Sequence, residues 1–410
     1  MKARILTIAS IVAAVVCFRA DLKADTGWVL HASPSVHNLM EVHFIDATAG
    51  IAVGEGGAIL RSTDGGASWD LIPSGVTAML NAVEMATTTV GIADGADGTI
   101  VRTTDGGQTW ATVASGTSAV LWGACFTDDK NGTVVGQAGT ILRTTDGGLT
   151  WTPQNCPTTV TLFEVEFVDA LTGTVVGQDG TILRTVDGGA HWAVQATGEP
   201  ELDFHAVFFL NATKGIAVGE LGLIRVTSDG GATWTSQASL TNNTLLAVHF
   251  YDALRGTAVG MHGTIIATSD GGVTWETQSS GTTKTLNEVF YSAANRIVAV
   301  GEGGIVLTKT LESATGVGGS VAPGTFGLDQ NYPNPFNPST TIRFQLPVAG
   351  HVRISVYDML GREVAELVNG TMDAGAHAIS FHAPGASSGM YLYRITTGAF
   401  TATRAMTLLK

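Results

Sequence analysis

The sequence predicts an all-β chain in two parts, a seven-bladed β-propeller followed by a small immunoglobulin-like β-sandwich. Three observations carry that expectation. Asp-Gly-Gly followed by two further residues and a Trp recurs, with the Trp at positions 69, 110, 151, 192, 234 and 275, spaced 41 or 42 residues apart. Each interval contains short apolar runs of period two, separated by glycine-rich turns, which is the pattern of four short strands per repeat. After Thr310 the repeat stops, and a Gly/Ser-rich run leads into a stretch with longer alternating segments.

The chain begins with Lys2 and Arg4, then an apolar run from Ile5 to Phe18, then Ala20 and Ala24. That order is the pattern of an export signal over residues 1–24, too short to span a membrane as a helix. The formal charge of −14 excludes the basic footprint that nucleic acid or an anionic membrane requires. Removal of the signal leaves Cys125 and Cys156, two thiols that read as unpaired.

Seven units come into register on Gly54, Gly95, Gly136, Gly177, Gly219, Gly260 and Gly301. Twelve residues before each lies an apolar first-strand position: Val42, Val83, Ala124, Val165, Val207, Val248 and Val289. Runs such as Gly50-Ile-Ala-Val-Gly54 and Ala58-Ile-Leu-Arg-Ser62 give the second and third strands, and the Trp opens the fourth. The seventh unit ends at Lys309-Thr310 without a fourth strand, whereas Trp28 lies 41 residues before Trp69. The segment Gly27–Ser33 is therefore expected to complete the last blade and close the ring, giving a propeller over residues 25–310 with no open seam.

The recurring turn has a mechanical explanation. Its Asp accepts amide hydrogen bonds, its glycines take positive φ, and its Trp supplies a large apolar surface. With Asp64, Asp105, Asp146, Asp187, Asp229 and Asp270 at this position, the repeats resemble the Asp-box, or BNR, propellers of the sialidase-like and sortilin-like families. The long match Gly50–Trp69 is most similar to the photosystem II assembly/stability factor family. That resemblance implies a structural turn without catalytic duty.

Strand direction places the fourth-to-first and second-to-third loops on one face and the Asp-box turns on the other. The second-to-third loops recur around the channel mouth and carry the candidate ligand residues Glu55, Asp97, Gln137, Gln178, Asp179, Glu220, His262 and Glu302. Such a ring suits a sugar, a cation or a basic peptide; it equally describes solvated positions in short hairpin turns. Arg61, Arg102, Arg143 and Arg184 share one third-strand position. They are expected to pair with the neighbouring Asp or cover the Trp. His43, Glu84, Cys125, Glu166 and His249 share one first-strand position and read as residues of a packed blade. No catalytic residue, metal motif or cofactor loop stands out.

A flexible linker is expected over residues 311–324 and a separate module over 325–410. Period-two runs at Thr341–Leu346, Val352–Tyr357, Ala378–Phe381 and Tyr391–Ile395 point to the antiparallel sandwich. Asn331-Tyr-Pro-Asn-Pro-Phe-Asn-Pro338, Val356–Arg362, Ser388–Arg394 and Met406–Lys410 resemble the type A C-terminal sorting domain of the type IX (Por) secretion system. The resemblance implies passage through the periplasm and outer membrane, a translocon and sortase-like peptidase as partners, and release or display at the cell surface.

The functional expectation is a secreted, non-enzymatic propeller that binds a protein or glycan. The alternatives are a sialidase-like glycoside hydrolase on the same scaffold, marked by convergent carboxylates at the channel mouth, and an assembly factor for a membrane complex.

Overall fold

The computed structural model describes residues 27–198, 201–293, 295–311, 326–328, 330, 331, 334, 336, 339–372, 375–383, 387, 389–398 and 400–408. The signal segment and all but Leu311 of the expected linker lie outside them. The chain forms two compact units that divide after residue 312.

The first unit is a ring of seven antiparallel four-stranded sheets. Blade 1 comprises Leu39–Phe44, Gly50–Gly54, Ile59–Ser62 and Asp70–Ile72, and the next five blades repeat that order. Blade 7 takes Leu286–Ala293, Arg296–Gly301 and Val306–Thr310 from the end of the repeat region. Its fourth strand is Val29–His31, with Val29 opposite Thr308 and His31 opposite Val306. The ring is thus sealed by the strand that the position of Trp28 implied.

Each blade lacks a core of its own. Buried apolar residues form clusters shared by neighbours: Ile51, Val53 and Ile59 of blade 1 pack with Leu80 and Val83 of blade 2. Val298, Val300 and Val306 of blade 7 pack with Leu39 and Val42 of blade 1, so the last interface has the composition of the others. The hydrophobic gain is realised only when a neighbour is present.

The Asp-Gly-Gly turns knit the outer end of blades 1–6. Asp105 accepts the Thr109 and Gln108 amides through Oδ1, both at 2.9 Å, and the Thr109 hydroxyl through Oδ2 at 2.6 Å. The hydrogen bond from the Thr109 hydroxyl is the largest influence holding the Asp105 carboxyl down to about 2. In blades 1 and 3–6 the Trp then packs edge-on against the Phe ending its own first strand, as in Phe44–Trp69 (6.0 Å between centroids) and Phe167–Trp192 (5.9 Å), whereas the first strand of blade 2 ends in Met85. In those five blades the Phe ring explains the glycine that opens the second strand: a Cβ on Gly50 would lie 2.6 Å from the Phe44 ring.

The repeated arginines do not pair with their own Asp. Arg61 Nε donates to the Gly106 carbonyl at 2.9 Å, and Arg102 Nε donates to the Gly147 carbonyl at 2.6 Å. Each therefore clamps the turn of the following blade. At the closure the arginine beside the Gly65 turn of blade 1 is Arg296 of blade 7, from the second strand, and its Nε is buried without a hydrogen-bond partner among the described residues. A long side chain at the turn-side end of the third strand reaches further than one blade, so the local ion pair expected from the sequence gives way to an inter-blade bond.

The C-terminal unit contains a three-stranded sheet of Gly327–Leu328, Ser339–Leu346 and Gly375–His382, and a four-stranded sheet ordered Glu363–Met372, Gly350–Asp358, Gly389–Thr397 and Phe400–Leu408. Phe344, Ile354, Tyr393, Ile395 and Met406 share its core. The Asn331 amide donates to the Tyr393 hydroxyl at 2.7 Å, and Phe336 is buried beside Phe381, so these two residues of the Asn-Pro-rich lead belong to the sandwich. Gly361 takes φ +79° in the hairpin after Asp358.

One blade departs from the apolar pattern. Asp94 is fully buried, both oxygens lack a partner, and desolvation pushes its carboxyl well above the ordinary range. The equivalent residues in the other blades are Val53, Val135, Val176, Val218, Val259 and Val300. Asp94→Val is expected to raise stability by about 1–3 kcal/mol by removing an unpaired buried polar group; calorimetric melting of the full chain checks it, and a lower melting temperature would contradict it.

Candidate functional site

The turns between second and third strands share a face with the loops preceding the first strands. The Glu55 amide donates to the Asn38 carbonyl at 3.0 Å, and the corresponding amides of Ala96, Gln137, Gln178, Glu220, Met261 and Glu302 repeat the contact. The Asp-Gly-Gly turns bond instead to the loops after the first strands, as in Gly65 to Thr48 at 2.8 Å. The two faces of the disc are therefore distinct.

The eight candidate residues fall into two kinds. Glu55, Gln137, Gln178, Glu220 and Glu302 occupy the first position of the turn. Asp97, Asp179 and His262 occupy the second, at φ 53–58°. Several first-position side chains are engaged by their own blade: the Asn38 side-chain amide donates to Glu55 at 2.9 Å, the Thr161 amide to Gln178 at 3.1 Å, the Asp203 amide to Glu220 at 3.2 Å, and the Thr285 amide to Glu302 at 3.1 Å. These residues hold the preceding loop in place. The second-position side chains of Asp97, Asp179 and His262 are exposed.

Two further groups lie closer to the axis. The first strands skip one residue of register, at Met40, Asn81, Trp122, Phe163, His205, Leu246 and between Leu286 and Glu288. Such bulges re-aim side chains. At these positions Trp122 and Phe163 meet edge-on at 5.9 Å, and Phe163 and His205 lie 5.1 Å apart, giving an aromatic run across blades 3, 4 and 5. It lies at the end of the first strands that adjoins the two-residue turns, because Leu121 pairs with Gly136, the residue before the turn. Burial lowers the His205 imidazole below its ordinary value.

Further along the first strands is a cavity of about 270 Å³ on the axis. Glu41, Glu84, Glu164, Glu166 and Glu288 line it, together with His43, His249, Cys125, Phe208 and Phe290. The residues read as ordinary blade positions thus face a common channel, because alternate residues of an innermost strand point at the axis and not at a neighbouring blade. His43 Nδ1 lies 3.0 Å from a Glu84 carboxyl oxygen. Glu41 accepts the Val83 amide of the next blade at 2.9 Å, and Glu288 accepts the Val289 amide at 2.9 Å. Burial raises Glu41 and Glu164 well above the carboxylate range, with neighbouring carboxylates adding to it. Burial also pushes Glu166 and Glu288 up to about 8 and His249 down to about 3.

Cys125 and Cys156 are free thiols, and desolvation followed by Glu166 and Glu84 pushes Cys125 well up. Among the described residues, no three His, Cys, Asp or Glu gather closely enough to hold a metal ion.

A closed propeller with an acidic channel and an aromatic mouth, joined to a separate sandwich, is the class of protein these features define. Comparison with known proteins bears out the resemblance in both parts. Residues 20–119 and 151–242 match the family described as photosynthesis system II assembly factor YCF48, and residues 330–408 match the secretion system C-terminal sorting domain. Among solved structures, YCF48 bound to D1 peptide is 18% identical with a TM-score of 0.60, covering 70% of this chain and 95% of that one. YCF48 from Cyanidioschyzon merolae is 20% identical with a TM-score of 0.60, covering 69% and 99%. The WD40 propeller domain of Doa1 is 14% identical with a TM-score of 0.56, covering 70% and 99%, which marks the similarity as one of fold. No curated protein matches. The sorting tail implies export by the type IX route to the cell surface or beyond, and no described helix is long and apolar enough to cross a membrane.

The site makes stability pH-dependent. Glu166 and Glu288 hold protons in the folded state up to about 8, against 4.5 unperturbed, so the stability they contribute is complete below about pH 4.5 and lost as pH rises through 8. His249 works the other way, losing its contribution as pH falls from 6.5 toward 3, and Asp105 does so from 3.8 toward 2. The melting temperature is expected to fall as pH rises from about 5 to about 9. The double variant Glu166→Gln/Glu288→Gln should flatten that decline; calorimetry showing the same slope in both proteins would disprove the assignment.

Proposed function

We propose that the chain is a secreted or surface-displayed propeller that binds a macromolecular ligand, a protein segment first and a glycan second, without chemical turnover. The carrying observation is the Trp122–Phe163–His205 run at the channel mouth, on the face formed by the two-residue turns. Half-buried aromatic side chains of this kind bury large apolar area at low entropic loss and anchor protein and sugar ligands alike. The solved YCF48 complex with a peptide favours a protein segment for this chain. Exposed Asp97, Asp179, Gln137 and Glu302 would form a polar rim around it. Trp122→Ala is expected to weaken by at least about tenfold the binding of whatever peptide or glycan the full chain retains on an array; undiminished binding would remove the aromatic run from the site.

Delivery follows from the two ends of the chain. Residues 1–24 serve as the signal into the periplasm, and residues 325–410 engage the type IX translocon and then a sortase-like peptidase. Deleting residues 325–410 should trap the propeller in the periplasm, as followed by cell fractionation. Its continued appearance outside the cell would refute the role.

A glycan-active enzyme is the second reading, and the carboxyls converging on the channel favour it. Glu166, held near 8, has the protonation of a general acid at neutral pH. Release of reducing ends from an array-retained glycan, lost in Glu166→Gln, would replace the binding-only reading. Assembly of a membrane complex rests on the family resemblance alone.

A further inference from the structure

We infer that the axial channel is a binding site for a small organic dication, an alkyl chain carrying ammonium or guanidinium groups, held by Glu41, Glu164, Glu166 and Glu288. The site is separate from the aromatic mouth and does not depend on which macromolecule that face takes.

The argument begins with what the wall offers. Carboxyl groups from blades 1, 2, 4 and 7 line one cavity, and the lining contains no Lys or Arg. Two of its polar groups lie inside the protein without a partner: Glu166 makes no hydrogen bond or ion pair among the described residues, and the Nδ1 atom of His249 is buried and unpaired. Carboxylates only accept hydrogen bonds, so the complementary ligand is rich in N–H donors and positively charged.

The shape of the cluster selects among cations. A bare divalent ion needs several oxygens within about 2.0–2.6 Å of one point. The described residues include no group of three such donors placed to share an ion. The carboxyls are instead distributed around the wall, so a ligand must reach across the axis to satisfy more than one. About 270 Å³ accommodates a chain of roughly six to ten heavy atoms, taking about 30 Å³ per water-sized group. The remaining wall suits such a chain. Phe208, His249 and Phe290 stand in contact across blades 5, 6 and 7, with ring centroids 5.0 and 4.4 Å apart, and present apolar surface and aromatic faces.

Binding would be linked to proton release. The carboxyls that burial keeps protonated give up those protons when a cation replaces them, so affinity rises with pH until the amine itself begins to deprotonate near 10.

Isothermal titration of the full chain with diaminobutane tests the site, at about pH 7 and about pH 9 and in two buffers of different ionisation heat. The expected result is binding about tenfold tighter at the higher pH, with protons released at the lower. Glu166→Gln/Glu288→Gln should weaken it at least about tenfold while melting no lower than the parent chain, and Glu164→Gln provides a second variant if the double one misfolds. Absence of heat and of any melting shift up to about 10 mM diamine would overturn the proposal. So would unchanged affinity in folded variants, or calcium chloride binding in the channel where the diamine does not.

Discussion

Ring closure is the constraint on which the structure depends. A four-stranded blade exposes apolar side chains on both faces and cannot bury them within itself, so every blade relies on two neighbours. Seven blades in a closed circle leave none without a partner, provided that the last interface equals the rest. The pairing of Val29–His31 with Val306–Thr308 and the shared cluster of Val298, Val300 and Val306 with Leu39 and Val42 supply that equality. The Asn287 side chain donating to the Leu39 carbonyl at 2.8 Å adds a polar contact across the same boundary, where Arg296 also packs beside Gly65.

Closure also creates the channel. First strands packed around an axis must turn alternate side chains inward, and the space left there, about 270 Å³, is too wide for direct packing. Phe208 and Phe290 fill part of it, while five glutamates occupy much of the rest. Burial favours the neutral form of Glu41, Glu164, Glu166 and Glu288, which is why it dominates their shifts. The inter-blade clusters and turn networks sustain a fold whose axis is electrostatically unfavourable at high pH.

The two faces of the disc divide the work. On one, Asp-Gly-Gly turns are saturated with internal hydrogen bonds and covered by arginines from the preceding blade, so their repetition reflects mechanics. On the other, the short turns anchor the loops entering each first strand, and the aromatic run stands among them. Repetition and ligand recognition thus fall on different residues: positions that recur in every blade build the ring, and those that break the repeat, such as Trp122, are free to distinguish a partner.

The fold was legible because its determinants are local and periodic. Strand alternation, glycine turns and a Trp every 41 or 42 residues are read from neighbours in the chain, and Trp28 in the same phase as the others revealed how the ring closes. The sorting-domain motifs were legible likewise, although the strands Glu363–Met372 and Phe400–Leu408 did not stand out from alternation alone. The site was only partly legible. The loop face could be inferred from strand direction, but whether Glu55 or Glu302 points at a ligand or at its own loop depends on a hydrogen bond 17 residues back. Trp122, off the phase of the other tryptophans, was the one available sign of the aromatic mouth. The sequence by itself determined the number of blades, their strand order and the route of closure, since each follows from spacing. Only the tertiary structure decided that Glu41, Glu84, Glu164, Glu166 and Glu288, up to 247 residues apart, share one cavity, because a ring brings distant repeats to the same axis.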